Sequence, residues 1–239
     1  MSVITTYLKT LAIALVSLIF SVAVIFSMLI LGKRVFHSFA HLWSKILLLI
    51  AGVKIKKKYS EDYNLANKSK PLILASNHTS FFDIPVVLAT CGRNANIIYK
   101  EELEKVPVWG WGLKMSPFIA INRNSGRDSL ASIDKAAAQM REGDSTIIFP
   151  EGTRSSELLP FKRGAFMLAA RSGLPIVPVA ISGIEPVLST KPFRIRKATV
   201  TIEFGAPIDA PKDQNAATEK ELMIKTRDAI SEMLEERQE

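Results

Sequence analysis

Leu11 to Leu31 is an unbroken stretch without a single charged residue. As a helix it is long enough to cross a hydrocarbon core of ~30 Å. A segment this apolar has to be covered by lipid or by protein, and that requirement constrains everything after it. A cleavable signal peptide fits poorly, because the run is too long and no small-residue cleavage site follows. Lys33 and Arg34 flank its far end and Lys9 alone precedes it, so the positive-inside bias places the rest of the chain in the cytoplasm. A second apolar stretch, Val35–Val53, is interrupted by His37, His41 and Lys45. It reads as a helix lying in the interface or folded back into one leaflet. Both a hairpin and a single span fit. Lys54–Lys58 then reads as a basic collar at the headgroup level.

Charge placement supports that division. The formal net charge is +8. Eight of the 31 basic residues and none of the 23 acidic ones precede Glu61, which leaves a body with 23 of each sign. A nucleic-acid-binding domain would carry its excess on the folded body, so the pattern excludes that class and points to anionic lipid. The lone cysteine, Cys91, rules out an intramolecular disulfide.

From Tyr59 onward the pattern is that of an α/β protein. Leu72–Ala75, Asn96–Tyr99, Phe118–Ile121, Thr146–Phe149, Ile176–Ile181 and Ala198–Phe204 read as strands. Asp83–Thr90, Ser129–Arg141, Lys162–Ser172 and a charged segment from Ala216 to about Arg237 read as helices. The alternation predicts one domain with a mostly parallel sheet flanked by helices.

Two clusters directly follow predicted strands, at the sheet edge where open α/β folds bind ligands. The first is Asn77-His78-Thr79-Ser80-Phe81-Phe82-Asp83. An imidazole, with an ordinary pKa of ~6.5, can take a proton from an alcohol near neutral pH. Asp83, in the first turn of the next helix, can reach back to His78 Nδ1 and leave Nε2 for chemistry. Read on spacing alone, the same residues equally describe a helix start with an unrelated histidine. The second cluster is Phe149-Pro150-Glu151-Gly152-Thr153-Arg154-Ser155. Gly152 would let the backbone approach a ligand, and Arg154 can grip a phosphate with two parallel hydrogen bonds. Glu151 could accept from a hydroxyl or hold Arg154, and a turn with a surface ion pair also fits. Lys100 and Arg123, each at a strand end, would add cations to the same edge. Cys91 lacks a second histidine to activate it, which argues against a covalent acyl carrier. No metal-ligand spacing is present.

Together these clusters resemble the glycerolipid acyltransferase superfamily, and most closely the bacterial 1-acyl-sn-glycerol-3-phosphate acyltransferases. The likeness is carried by ordered blocks between Leu72 and Ser182: Asn77–Asp83, Lys100–Leu103, Ile119–Arg123, Glu151–Arg154 with Leu159–Ala165, and Val177–Val179. The resemblance implies an acyltransferase domain over residues 59–239 behind an anchor over residues 1–58. It implies direct transfer, without an acyl-enzyme, from an acyl-CoA or acyl-carrier-protein thioester to the sn-2 hydroxyl of 1-acyl-sn-glycerol 3-phosphate. The product would be phosphatidic acid, a phospholipid precursor, made at the cytoplasmic face of a bacterial inner membrane. In that scheme His78 is the base, Asp83 orients it, and Lys100, Arg123 and Arg154 hold the phosphate. Glu151, Gly152 and Thr153 complete the substrate site, and neither metal nor cofactor is required. Backbone N–H groups near Gly152 or in the helix after His78 would hold the oxyanion, and Val177–Gly183 would form core strand or wall an acyl channel. The block around Arg123 departs from the family pattern, with Met115-Ser116-Pro117-Phe118 and Asn122 where glycine and aspartate are common. That departure admits another lysolipid acceptor, such as lyso-ornithine lipid.

Overall fold

The computed structural model describes residues 3–92, 94–121, 126–190, 193–213 and 215–236. The two apolar stretches form helices α1 (Val3–Leu31) and α2 (Phe36–Ala51). They run side by side along the α/β body: Lys9 Nζ donates to the Ala51 carbonyl at 2.7 Å and Trp43 Nε1 to Ser17 Oγ at 3.1 Å. Gly52, at φ +81°, ends α2, and the chain enters β1 (Val53–Tyr59). The lysine run expected as a headgroup collar is therefore a strand of the main sheet, and a boundary between residues 58 and 59 falls inside it. The alternation that makes it a strand is present, with Val53, Ile55 and Tyr59 between Lys54, Lys56 and Lys58. Charged side chains suit an edge strand, because they discourage pairing with another chain.

After α3 (Glu61–Ala66) the units follow one another as β2 (Ile73–Ser76), α4 (Asp83–Thr90), β3 (Ala95–Lys100), α5 (Trp109–Met115), β4 (Ile119–Ile121), α6 (Gly126–Glu142) and β5 (Ser145–Ile148). Then come α7 (Arg163–Ser172), β6 (Ile176–Ser182), the short hairpin β7 (Ser189–Thr190) and β8 (Phe193–Arg194), β9 (Ala198–Phe204) and α8 (Ala216–Glu235). Seven strands form one sheet in the order β1-β9-β6-β2-β5-β3-β4, parallel throughout except for the β6–β9 pair. The central strands β2, β5 and β6 are buried on both faces, which is why they read as nearly continuous apolar runs. Leu74, Ile147 and Val177 face a core with α2 and α4. Their neighbours Ile73, Ile148 and Ile176 face a second core with α6, α7 and α8.

The register sets up the site. Ala75 of β2 pairs with Ile148 of β5, and Ile97 of β3 with Ile147. All three strands point the same way, so the segments after Ser76, Ile148 and Lys100 leave the sheet side by side.

Candidate active site

His78 is held from every side. Asp83, fully buried, receives three contacts on one oxygen: the Thr79 and Ser80 N–H groups at 2.7 and 2.8 Å, and His78 Nδ1 at 2.8 Å. With Oδ2 already accepting two backbone bonds, Nδ1 must be the protonated nitrogen, which leaves Nε2 with the free lone pair. The His78 N–H donates to Glu151 Oε1 at 2.7 Å, and its carbonyl accepts from the Ser155 N–H at 2.8 Å. Its ring stacks on Phe149 with centroids 4.2 Å apart. One residue earlier, the Asn77 amide spans to β6, donating to the Ile181 carbonyl at 2.9 Å and accepting its N–H at 2.8 Å. This clamp extends the β2–β6 ladder past the point where the strand turns away. Asn77 thus fixes the start of the loop, a role that sequence reasoning did not assign.

Glu151 has a different place from the one expected. It is 2% exposed, and its second oxygen accepts from the Leu159 N–H at 3.0 Å. Both oxygens accept from backbone N–H groups, so Glu151 braces the His78 loop. Burial pushes its carboxyl above the ordinary carboxylate range, and the backbone bonds from His78 and Leu159 only partly offset this. Gly152 also serves a neighbour. Its φ is +70°, and a Cβ there would come within 2.7 Å of Lys162 Nζ. The glycine lets the Lys162 side chain lie across the loop.

Two cavities meet at His78. The first, about 660 Å³, is lined by His78, Lys100, Thr153, Arg154 and Lys162. Lys100 pairs with Glu102 at 3.1 Å, while Arg154 and Lys162 are exposed and make no ion pair among the described residues. The second, about 400 Å³, is almost wholly apolar. Its walls are Phe20 and Val24 of α1, Phe36, Phe39 and Trp43 of α2, and Trp109 and Leu113 of α5. Tyr99 and Arg154 border both cavities. The Tyr99 hydroxyl donates to Glu104 at 3.0 Å, and burial raises its pKa.

The structure brings His78, Lys100, Thr153 and Arg154 to one cavity, with Asp83 buried behind His78. Lys162 and Tyr99 line the same cavity and were not singled out in the sequence, although Lys162 follows Phe161 in a block already noticed. Arg123 lies outside the described residues. Val177–Val179 form buried core strand, and the apolar cavity is walled by α1, α2 and α5 instead. Four N–H groups of the two segments expected to hold the oxyanion have partners within the loops: Thr79 and Ser80 donate to Asp83, Phe82 to Ser80 Oγ and Gly152 to the Phe149 carbonyl. Cys91 is buried, and its carbonyl receives the Tyr63 hydroxyl. His37 and His41 bond Asn96 and the Leu88 carbonyl, tying α2 to the body.

Comparison with known proteins bears on this arrangement. The sequence model of the family described as Acyltransferase matches residues 56–182, more than half of the chain, with strands β2, β3 and β5 and the loops that follow them. The chain belongs to the acyltransferase family. That is the glycerolipid acyltransferase superfamily of the ordered blocks. The chain is 34% identical over 165 residues to the chloroplastic 1-acyl-sn-glycerol-3-phosphate acyltransferase BAT2 of Brassica napus, covering 66% of this chain and 46% of that protein. It is 31% identical over 198 residues to the 1-acyl-sn-glycerol-3-phosphate acyltransferase of Saccharomyces cerevisiae, covering 80% of this chain and 63% of that one. The chain thus spans about half to two-thirds of these relatives' lengths. The crystal structure of the 1-acyl-sn-glycerophosphate acyltransferase PlsC from Thermotoga maritima superposes with a TM-score of 0.78 over 98% of both chains, at 22% identity. The acyltransferase fold is therefore shared along the whole chain, helices α1 and α2 included.

Proposed function

We propose that this acyltransferase acylates the sn-2 hydroxyl of 1-acyl-sn-glycerol 3-phosphate, forming phosphatidic acid from an acyl-CoA or acyl-carrier-protein thioester. The observation that carries this reading is that one imidazole borders both a cation-lined cavity and an apolar one. A lysolipid phosphate fits the first beside Lys100, Arg154 and Lys162, and an acyl chain fits the second. His78 Nε2 takes the hydroxyl proton as the oxygen attacks the thioester carbonyl, and Asp83 stabilises the imidazolium that forms. The tetrahedral intermediate collapses by breaking the C–S bond, and the proton passes from His78 to the departing thiolate. The scheme uses no metal or prosthetic group.

The same reading assigns α1 to lipid. Its inner face meets α2, α5 and the body, while Ile4, Leu8, Leu11, Leu15, Leu18, Val22 and Leu29 form an exposed stripe along its whole length. A helix packed lengthwise on a folded domain lies in one leaflet more readily than it crosses two. The body then faces the compartment that holds the thioester donor, the cytoplasm.

The test is purified protein with 1-acyl-sn-glycerol 3-phosphate and a thioester, scored by thiol release and by mass spectrometry of the lipid. His78→Ala should lose on the order of 10³-fold in rate or more while its melting curve is kept. Retained activity in that variant sinks the assignment of the base. Turnover only on a phosphate-free lysolipid sinks the assignment of the acceptor.

A further inference from the structure

The lipid reading of α1 leaves a neighbouring surface unexplained. Outside α1 and α2, Leu65, Ile224 and Tyr59 are exposed singly at other places, while Trp111 is 56% exposed, Val106 42% and Phe81 38%. The last three positions surround one feature. The inner side of α5 carries Trp109 and Leu113 on the apolar cavity, and Phe81 borders that cavity too. Gly112 lies directly against α1, where an added Cβ would come 3.6 Å from the Ser21 carbonyl oxygen. Trp111, the adjacent residue, is thus exposed on a helix that packs against α1. Lys105 and Lys114 are exposed at either end of the segment.

The backbone is bent to produce this arrangement. Val108 sits at φ 64°, ψ −58°, and the Trp109 N–H donates to the Pro107 carbonyl at 2.7 Å. That is a γ-turn with a β-branched residue at its centre, a strained choice. It reverses the chain tightly between Val106 and α5. Tryptophan with lysines on long apolar stems is the side-chain chemistry of the headgroup layer, where one end is wet and the other is not.

We propose that the Val106–Lys114 segment is a third membrane-seated element, with Trp111 in the headgroup layer of the bilayer that receives α1. The rim of the apolar cavity, from Phe81 to α5, then opens into lipid and not into water. This inference rests on the lipid assignment of α1, and its test separates the two. Full-length protein is added to vesicles of phosphatidylcholine and phosphatidylglycerol. The Trp111 emission is obtained as the difference between the wild type and Trp111→Phe, since Trp43 and Trp109 are common to both. The expected result is sedimentation with vesicles, a blue shift of the difference emission, several-fold weaker quenching by iodide, and strong quenching by lipids brominated near the headgroup. In parallel, Trp111→Ala should keep wild-type turnover on a short-chain acceptor dissolved as monomer and lose it several-fold on acceptor held in vesicles. Protein that sediments while Trp111 stays open to iodide overturns this inference and leaves the α1 assignment standing. Protein that does not sediment overturns both. Iodide protection that appears without vesicles and grows with protein concentration identifies a second copy as the occupant and overturns the bilayer.

Discussion

The two sides of His78 are built on opposite terms. On one side, Asp83, Asn77 and Glu151 are buried, and they spend their side-chain hydrogen bonds on the His78 ring or on backbone groups of neighbouring segments. On the other, Arg154 and Lys162 reach into a cavity and form no ion pair among the described residues. The first side has its geometry before any substrate arrives, and the second gains its partners only on binding. Such a division separates rate from affinity: the held side should govern kcat and the open side KM.

Asp83→Asn is the strongest way to break that comparison. The amide can still satisfy backbone donors with its oxygen, so the fold should survive. It carries no charge to stabilise the imidazolium, and its NH2 group competes for the role of donor toward Nδ1. The expected loss in kcat is on the order of 10³- to 10⁴-fold with little change in KM. A loss below tenfold would mean that His78 is oriented by something other than Asp83.

Arg154→Ala and Lys162→Ala probe the open side. Each removes a charge-assisted contact to the acceptor phosphate, worth about 1.5–3 kcal/mol, or roughly 10- to 150-fold in KM. The kcat at saturating acceptor should hold. A collapse in kcat at unchanged KM would move these cations to the reacting oxygen and erase the division.

How these residues read in the sequence follows the same line. The spacing of Asp83 and His78 allowed a local contact, five positions apart across a strand-to-helix turn, and only the other ordered blocks favoured it over a plain helix start. The role of Glu151 was not, because its partners are the backbone N–H groups of residues 78 and 159, and a carboxylate that bonds backbone looks in sequence like one that bonds substrate. Asn77 was hidden for the same reason, since its partner lies 104 positions away. The central strands announced themselves through runs such as Leu72–Ala75. Strand β1 did not, because an edge strand needs few apolar residues and its lysines suit a membrane collar equally well. Composition gave both N-terminal helices, while the packing of Gly112 on Ser21 that makes α5 their neighbour is a tertiary fact.

A finer test sits at Gly152, where the two sides touch. Alanine there costs roughly 1–2 kcal/mol for the positive φ, and its Cβ would displace the Lys162 ammonium. KM should rise by a smaller factor than in Lys162→Ala. On a Lys162→Ala background Gly152→Ala should add almost nothing to KM, because the lysine it displaces is already gone. Additive effects in that double-mutant cycle would show that Gly152 itself touches the acceptor.

The smallest expected effect concerns stability, and Glu151 carries it. Burial holds its carboxyl above the ordinary value of 4.5 in the folded protein, so the folded state keeps this proton to higher pH than the unfolded chain does. Where the folded state binds more protons, stability falls as pH rises, and here the fall begins around the ordinary value and ends once the folded carboxyl has ionised. Glu151→Gln has no such proton to lose. It also offers one acceptor to two backbone donors and turns its NH2 toward the other, which costs about 1–3 kcal/mol at every pH. Thermal melts in detergent from pH 4 upward should therefore give a variant curve that lies below the wild type, with the gap narrowing as pH rises through the window. A constant gap would mean that Glu151 ionises in the folded protein as it does in the unfolded one, and that its two backbone bonds compensate its burial in full.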